Sequence, residues 1–252
     1  MDEPEIPLHG GNATAGVVRV GGTVRKPWTS STDSVSAFLT RLAAAGLDVP
    51  EVLGRDEQGR QIIEFIPGTL AEDARALTIG DLERVGRMVR DLHEASAGFE
   101  VGESSWTTLI HAPGADLICH NDLAPWNLIM GERWVFIDWD AAGPSTRLWD
   151  LAYAAQAFTL NDAAQLPVEA AGRLAAFVHG YDADATLRAQ LPDAMAQRTE
   201  AMHELLRQAH EDAREPWATM YVEGHGAHWR TVSGYIRRHK AVWQAALAPS
   251  GV

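Results

Sequence analysis

The sequence predicts an α+β fold in which a small antiparallel sheet comes first and a mostly helical region follows. Short β-prone runs joined by glycine-containing turns lie within residues 10–66. From Thr78 onward, and again beyond Leu151, apolar residues recur at helical spacing. Strands that precede helices along the chain, without regular alternation of the two, indicate that sheet and helices occupy separate regions.

The composition fits one or two globular domains with a sizeable core. The chain has 252 residues, of which 46% are hydrophobic and 22% charged. A formal net charge of −13 disfavours a nucleic-acid partner. The acids either keep the protein soluble or attract a cationic substrate, and their scatter along the chain favours the first interpretation. Cys119 is the only cysteine, so an intramolecular disulfide is excluded.

Neither a secretory signal nor a membrane helix is visible in the sequence. Residues 1–5 are acidic and lack the basic and apolar regions of a signal peptide. No uninterrupted apolar stretch approaches the roughly 20 residues that a membrane helix needs. We therefore expect a cytoplasmic protein without a membrane partner. No feature of the sequence specifies an oligomeric state.

The first elements are a hairpin, a helix and a strand pair. Two β-prone runs meet at Gly21 and Gly22, a residue pair typical of a two-residue hairpin turn. Apolar residues at helical spacing predict a helix over residues 33–46, which Gly46 would end. Residues 51–54 and 61–66 then read as strands on either side of a polar turn.

The helical region begins at Thr78. Thr78 and Asp81 form the pattern of a capping box, and apolar residues at positions 82, 85, 89 and 92 predict the buried stripe of the helix that follows. Residues 98–115 have no clear period and read as a loop. Further helices are expected at about residues 148–158, 167–181, 193–213 and 228–247.

A second hairpin interrupts the helical region. Residues 127–130 and 134–138 are β-prone runs separated by the polar segment Gly131-Glu132-Arg133. If Met130 faces Val135, Asn127 lies directly opposite Asp138. Opposed residues have Cβ atoms roughly 4.5–5.5 Å apart, near enough for an amide oxygen and a carboxylate to share one hard cation. The hairpin therefore predicts a Mg²⁺ site formed by Asn127 and Asp138.

The segment just before this hairpin, His120 to Asn127, reads as a rigid loop because Pro125 restricts both its own φ and the preceding residue. Such a loop carries Asp122 toward the predicted metal site. An aspartate there can accept a hydroxyl proton and orient the oxygen for attack on a γ-phosphate. His120 is interpreted as a hydrogen-bonding scaffold of this catalytic loop.

The spacing H-x-D-x-x-x-x-N, the strand that ends in Ile137-Asp138-Trp139-Asp140 and the following run Arg147-Leu148-Trp149-Asp150-Leu151-Ala152 resemble the aminoglycoside phosphotransferase and choline kinase family. The resemblance implies a two-lobed protein-kinase-like fold, with an N-lobe over residues 1–67 and a C-lobe over residues 68–252. It also implies that Asp122 is the catalytic base, that Asn127 and Asp138 bind Mg²⁺, and that Asp150 is structural.

The chain departs from protein kinases in ways that disfavour a protein substrate. Asn121 stands where their catalytic loop has arginine, and Ala124 stands where a lysine is common. The short distance from Asp138 to the next helix leaves no room for a long activation segment. The family also places a glutamate on the first helix to pair with a lysine, and Val35 stands there instead.

The resemblance assigns nucleotide-binding roles to the N-terminal region. Glycines such as Gly11 and Gly16 would let backbone amides approach phosphate oxygens. Lys26 is the expected phosphate-pairing cation, with Arg25 as the alternative, because alternate residues of a strand point to opposite faces. Backbone groups of Glu64, Phe65 and Ile66 would read adenine, although an ordinary strand end is the simpler interpretation.

The acceptor pocket is expected between the catalytic loop and the C-terminal helices. Asp140 is a candidate to hold a cationic amine, and Trp126 could line the pocket by stacking or cation–π contact. Solvated acids and core tryptophans are the simpler interpretations.

Taken with the resemblance, these residues predict a phosphotransferase that moves the γ-phosphate of ATP to a hydroxyl of a small molecule. Candidate acceptors are cationic antibiotics, amino alcohols and sugars. Two alternatives remain at this stage. One is a nucleotide-binding protein of the same fold with little or no turnover. The other is a metallohydrolase using His120, Asp122 and Asp138, which the hard oxygen ligands disfavour.

Overall fold

The computed structural model describes residues 4–8, 16–99 and 105–248. Within them the chain forms ten short strands, numbered β1 to β10 in chain order: Ile6–Pro7, Val18–Val20, Thr23–Lys26, Val52–Arg55, Gln61–Glu64, Thr69–Leu70, Leu117–Cys119, Leu128–Met130, Trp134–Phe136 and Gly143–Ser145.

The same residues form eight α-helices, numbered α1 to α8: Thr32–Ala44, Ile79–Ser96, Arg147–Thr159, Pro167–Tyr181, Ala185–Glu211, Trp217–Met220, Gly226–Arg238 and Lys240–Leu247. Two 3₁₀ turns cover Pro125–Asn127 and Trp139–Ala141, and a π-helical turn covers Tyr221–His225.

An antiparallel sheet of five strands forms the N-terminal region, in the order β1-β2-β3-β5-β4. The turn between β2 and β3 consists of Gly21 and Gly22, as predicted, because Val20 pairs with Thr23. Helix α1 supplies Phe38 and Leu42 to the main core. The predicted α+β class is confirmed, since this sheet precedes a mostly helical region.

The strand β6 connects the two regions. Thr69 and Leu70 pair with Met130 and Ile129, so the chain joins the second hairpin soon after the first sheet ends at Glu64. Gly131 is needed at this crossing, because a Cβ there would lie 2.5 Å from the carbonyl oxygen of Pro67. Close backbone contact therefore holds the connecting segment on the hairpin.

Helices α2 and α4 pack backbone against backbone beneath the hairpin. A Cβ at Gly180 would lie 2.0 Å from the carbonyl oxygen of Glu83, and one at Gly86 would lie 2.2 Å from that of Phe177. The capping box of Thr78 and Asp81 is present at the start of α2, as predicted. Reciprocal hydrogen bonds between these two residues satisfy amide groups that the first turn leaves free.

Two helix predictions were wrong at their bounds. Helix α5 begins at Ala185 and runs through Pro192, whereas the sequence pattern placed its start after this proline. Its first turn is capped by Asp184, which accepts a hydrogen bond from the amide of Leu187. The expected helix over 228–247 is divided at His239, where ψ is 19°. No helix among the described residues is long and apolar enough to cross a membrane.

Candidate active site

Lys26 and Arg25 are neighbours on β3, and their side chains leave opposite faces of the sheet. Lys26 is only 7% exposed. Its Nζ donates to Asp138 Oδ1 at 2.8 Å and lies 2.7 Å from Asp140 Oδ1. On the other face, Arg25 Nε lies 3.6 Å from Asp56 Oδ2. The strand thus turns Lys26, the predicted choice, toward the second hairpin and turns Arg25 away.

These contacts make Lys26 a buried cation with two negative partners. Burial lowers the pKa of Lys26, but the carboxylates of Asp138 and Asp140 raise it above its ordinary value. Burial raises the pKa of Asp138, but the adjacent ammonium group lowers it below its usual value. Lys26 and Asp138 are therefore both charged near neutral pH. The carboxylates neutralise the positive charge that Lys26 carries into the interior.

Asp138 leaves the hairpin in a left-handed conformation, with φ 57° and ψ 66°. Aspartate tolerates this region better than most residues do. The next residue, Trp139, is buried and donates through Nε1 to the carbonyl oxygen of Phe136 at 2.9 Å. The tryptophan anchors the turn in the core, so the acids on either side of it face Lys26.

The predicted register of the second hairpin was wrong by one residue. Met130 pairs with Trp134, not with Val135, so Asn127 falls opposite Ile137 and not opposite Asp138. The physical reason is a tighter loop, closed by a hydrogen bond from the amide of Gly131 to the carbonyl oxygen of Arg133 at 3.0 Å. A slip of one residue moves side chains to the other face of a sheet.

Asn127 and Asp138 still come from adjacent backbone segments. Asn127 ends a 3₁₀ turn, and the amide of Ile137 donates to its carbonyl oxygen at 2.8 Å. The side-chain nitrogen of Asn127 donates to Asp122 Oδ2 at 2.8 Å, which turns the amide oxygen away from Asp122. An amide oxygen and a carboxylate on neighbouring segments are ligand atoms of the kind that Mg²⁺ prefers. The donor chemistry therefore fits this ion.

His120 connects the catalytic loop to the end of the hairpin. Its Nε2 donates to the carbonyl oxygen of Ile137 at 3.1 Å, and its Nδ1 accepts from the amide of Asp122 at 3.3 Å. The ring lies 4.4 Å from that of Trp139. Burial lowers the pKa of His120, which favours the neutral ring that these two hydrogen bonds require. Both nitrogens are engaged by backbone groups, an arrangement that suits a scaffold and not a metal ligand.

Asn121 links the loop to α3 and to the turn after the hairpin. It adopts a φ of 65°, and its amide donates to the buried Asp150 at 2.7 Å. Its side-chain nitrogen donates to the carbonyl oxygens of Ala141 and Gly143 at 3.1 and 3.3 Å. Asp150 also accepts from His93 Nε2 at 3.0 Å. The backbone and side-chain amides of Asn121 thus hold the loop at the position where protein kinases have arginine.

Both carboxylate oxygens of Asp122 accept hydrogen bonds. Tyr153 donates its hydroxyl to Oδ1 at 2.8 Å, and Asn127 donates to Oδ2 at the same distance. Burial raises the pKa of Asp122 to about 6, although the hydrogen bond from Tyr153 acts in the opposite direction. The carboxylate is therefore held in one orientation, and at neutral pH it is largely ionised.

Tyr153 and Arg198 were not singled out from the sequence. Tyr153 is 1% exposed, and the Arg198 guanidinium carbon lies 4.2 Å from its ring centroid. Arg198 is itself buried and donates to the carbonyl oxygen of Asn121 at 3.1 Å. A signal existed for Tyr153: it follows Asp150 by three residues, so both lie on one face of α3. No comparable signal marks Arg198, whose contacts cross from α5.

The segment predicted to read adenine begins at Glu64, the last residue of β5. The Glu64 carboxylate lies 3.1 Å from Arg133, and the amide of Phe65 donates to the carbonyl oxygen of Gly22 at 3.0 Å. Ile66 is buried in a small apolar cluster with Ile129. The segment thus passes from the first sheet to the second hairpin, the position in which a connection between two lobes is expected.

The remaining predicted site residues are Gly11, Gly16, Asp140 and Trp126. Gly11 lies outside the described ranges. Gly16 has φ +79° and open space where a Cβ would be. Asp140, the predicted partner of a cationic acceptor, lies against Lys26, the predicted partner of the nucleotide phosphates. Trp126 lies in the 3₁₀ turn at the end of the catalytic loop and is half-buried against a cluster that contains Tyr153.

Comparison with known proteins agrees with the observed fold. Residues 103–189 match the model of the phosphotransferase enzyme family. The trifolitoxin immunity protein of Rhizobium leguminosarum bv. trifolii is 31% identical over an alignment of 271 positions. The alignment covers 97% of this chain and 99% of the relative.

Two solved structures share the fold across nearly the whole chain. A choline/ethanolamine kinase family protein from Mesorhizobium loti has a TM-score of 0.57 at 21% identity, with 96% of this chain and 92% of that chain covered. A spectinomycin phosphotransferase in complex with ADP and spectinomycin has a TM-score of 0.61 at 14% identity, with 97% and 92% covered.

The sheet, the second hairpin and the helical region therefore define a small-molecule kinase of protein-kinase-like fold. The chain belongs to the phosphotransferase enzyme family, as its similarity to the Rhizobium relative over almost the full length of both proteins shows.

Proposed function

We propose that this protein transfers the γ-phosphate of ATP, with Mg²⁺, to a hydroxyl group of a small molecule. The observation that carries the proposal is the fixed carboxylate of Asp122, held between Tyr153 and Asn127 at 2.8 Å on each side. A carboxylate that cannot rotate is suited to accept one proton from one direction.

In this proposal Asp122 orients the acceptor hydroxyl and takes its proton as the oxygen attacks. Asn127 keeps Asp122 in place through its nitrogen and offers its oxygen to the metal. Asp138 is the second metal ligand, and Lys26 pairs with nucleotide phosphates. When bound, ATP and Mg²⁺ supply a phosphoryl group whose negative charge is partly neutralised.

The choice of lysine at position 26 supports a phosphate-pairing role. The chain contains only two lysines, Lys26 and Lys240, against nineteen arginines. The ammonium group is a compact point charge, whereas the guanidinium group of arginine is a wide planar fork. The compact ammonium group of Lys26 is buried against the carboxylates of Asp138 and Asp140. The lysine of a P-loop likewise binds phosphate as a point charge.

The relatives suggest which acceptors to test. One is named for immunity to trifolitoxin, and others are a spectinomycin phosphotransferase and a choline/ethanolamine kinase family protein. We propose that the acceptor is a hydroxyl-bearing small molecule, either an antibiotic or an amino alcohol. Trp126, half-buried at the end of the catalytic loop, would line the acceptor pocket.

The test is an ATP-consumption screen of the purified protein with Mg²⁺ over aminoglycosides, spectinomycin, peptide antibiotics, choline, ethanolamine and sugars. We expect turnover with one class, and loss of that turnover in Asp122→Asn with ADP binding retained. Asp193→Asn is the matched control, because Asp193 pairs with Lys240 on the helical surface. Full turnover in Asp122→Asn would refute the base assignment. ADP binding without consumption of ATP for any acceptor would favour the nucleotide-binding alternative.

A further inference from the structure

The first helix provides no carboxylate to Lys26. Its only acid, Asp33, is exposed, and Val35, at the position where the family has glutamate, packs in the apolar core. Helix α1 approaches the strand through Ser36, which accepts a hydrogen bond from Gln61 at 3.2 Å, and Gln61 is the residue opposite Lys26. The helix is therefore close enough to contribute a partner, yet it presents a hydroxyl group.

A buried ammonium group without a stable counter-charge is costly, so another acid has to replace the helix glutamate. Asp138 and Asp140 both meet Lys26, at 2.8 and 2.7 Å. Asp138 is also the proposed metal ligand, so the field of a bound cation would compete with Lys26 for its charge. Asp140 is not one of the two proposed metal ligands.

We propose that Asp140 holds Lys26 in its phosphate-facing position, and thereby replaces the glutamate that the first helix lacks. The proposal rests on the proposed function, because it assigns to Asp140 a positioning role in nucleotide binding. Its geometry depends on Trp139. Trp139, which lies between the two acids in sequence, is buried and meets Phe38 of α1 edge to face with ring centroids 5.9 Å apart, so the same helix supports the turn through packing.

A double-mutant cycle separates positioning through Lys26 from direct contact with the nucleotide or metal. ADP binding is measured by calorimetry in excess MgCl₂ for the wild type, Asp140→Asn, Lys26→Met and the double variant. We expect Asp140→Asn to weaken ADP binding on the order of tenfold when Lys26 is present. In the Lys26→Met background we expect no further weakening. An equal loss in both backgrounds, or no loss with Lys26 present, would overturn the proposal.

Lysine labelling tests the contact without any nucleotide. Since the chain has only two lysines, acetylation with N-hydroxysuccinimide acetate followed by peptide mass spectrometry reports Lys26 and Lys240 separately. In MgCl₂, Asp140→Asn should increase acetylation of Lys26 several-fold relative to Lys240. Asp193→Asn should do the reverse, because Asp193 Oδ1 lies 2.5 Å from Lys240 Nζ. Unchanged Lys26 labelling in Asp140→Asn would overturn the proposal.

The two experiments also separate this inference from the proposed function. If the wild type binds no ADP, the nucleotide role fails, while the labelling result still decides whether Asp140 holds Lys26. Circular dichroism spectra of all variants would show whether each retains its helical content.

Discussion

Removal of one hydroxyl group, in Tyr153→Phe, tests whether the orientation of Asp122 governs the reaction. The substitution keeps the ring, which lies 6.2 Å from Trp229 and beneath the Arg198 guanidinium group. It removes only the hydrogen bond to Asp122 Oδ1 at 2.8 Å. Among the residues that the structure describes, Asn127 then remains as the side-chain hydrogen-bond donor to the carboxylate, and we expect the carboxylate to rotate.

The magnitude follows from the type of hydrogen bond that is lost. A hydrogen bond to a charged group contributes about 1.5–3 kcal/mol. If about 1.4 kcal/mol of this acts in the transition state, kcat falls roughly tenfold. The KM for ATP should change little, because Tyr153 contacts the base and none of the proposed nucleotide ligands. We also expect a loss of about 1 kcal/mol in the free energy of unfolding, because the half-buried carboxylate loses one of its hydrogen-bond donors.

Tyr235→Phe is the matched control. The Tyr235 hydroxyl donates to the carbonyl oxygen of Gln165 at 3.1 Å, and Tyr235 is buried like Tyr153. Steady-state kinetics with an acceptor from the screen, together with urea denaturation, should show loss of kcat in Tyr153→Phe alone, although both variants lose stability. Equal kcat values in the two variants would refute the view that Tyr153 positions the base.

The remaining predictions concern the metal and the helix packing. Asp138→Ala should weaken binding of ATP in MgCl₂ by about tenfold or more, as measured by calorimetry. Binding of ATP in EDTA should change less, because a metal ligand acts only when metal is present. Equal affinities of the wild type and the variant in MgCl₂ would contradict the metal role. Gly180→Ala should lower the free energy of unfolding by about 1–3 kcal/mol or more, since its Cβ would lie 2.0 Å from a backbone oxygen of Glu83. Gly172→Ala, on the same helix with no atom within 4 Å of its Cβ, should instead raise stability by up to about 1 kcal/mol in the same urea titration.

Local features of the fold were predicted well because each depends on residues close in the chain. The Gly21-Gly22 turn and the Thr78–Asp81 capping box both form as expected. Turn chemistry, capping and apolar spacing are short-range properties, and a single sequence contains them in full.

The register of the second hairpin shows where this reasoning failed. The sequence indicated two strands and the loop between them, but Met130 could pair with Trp134 or with Val135. The choice depends on how the loop closes and on which side chains the sheet buries. Val135 and Phe136 are both buried, so the hydrophobic pattern alone could not decide between the two registers.

Residue types and their spacing therefore determined the family resemblance, the order of sheet and helices, and the candidate base and metal ligands. The tertiary structure alone decided that Asp140 meets Lys26 from more than a hundred positions away in the chain, and that Tyr153 reaches Asp122. The physical reason is that these contacts depend on how helices and strands pack across the core. A single sequence encodes that packing only through all of its residues together, and no local pattern reveals it.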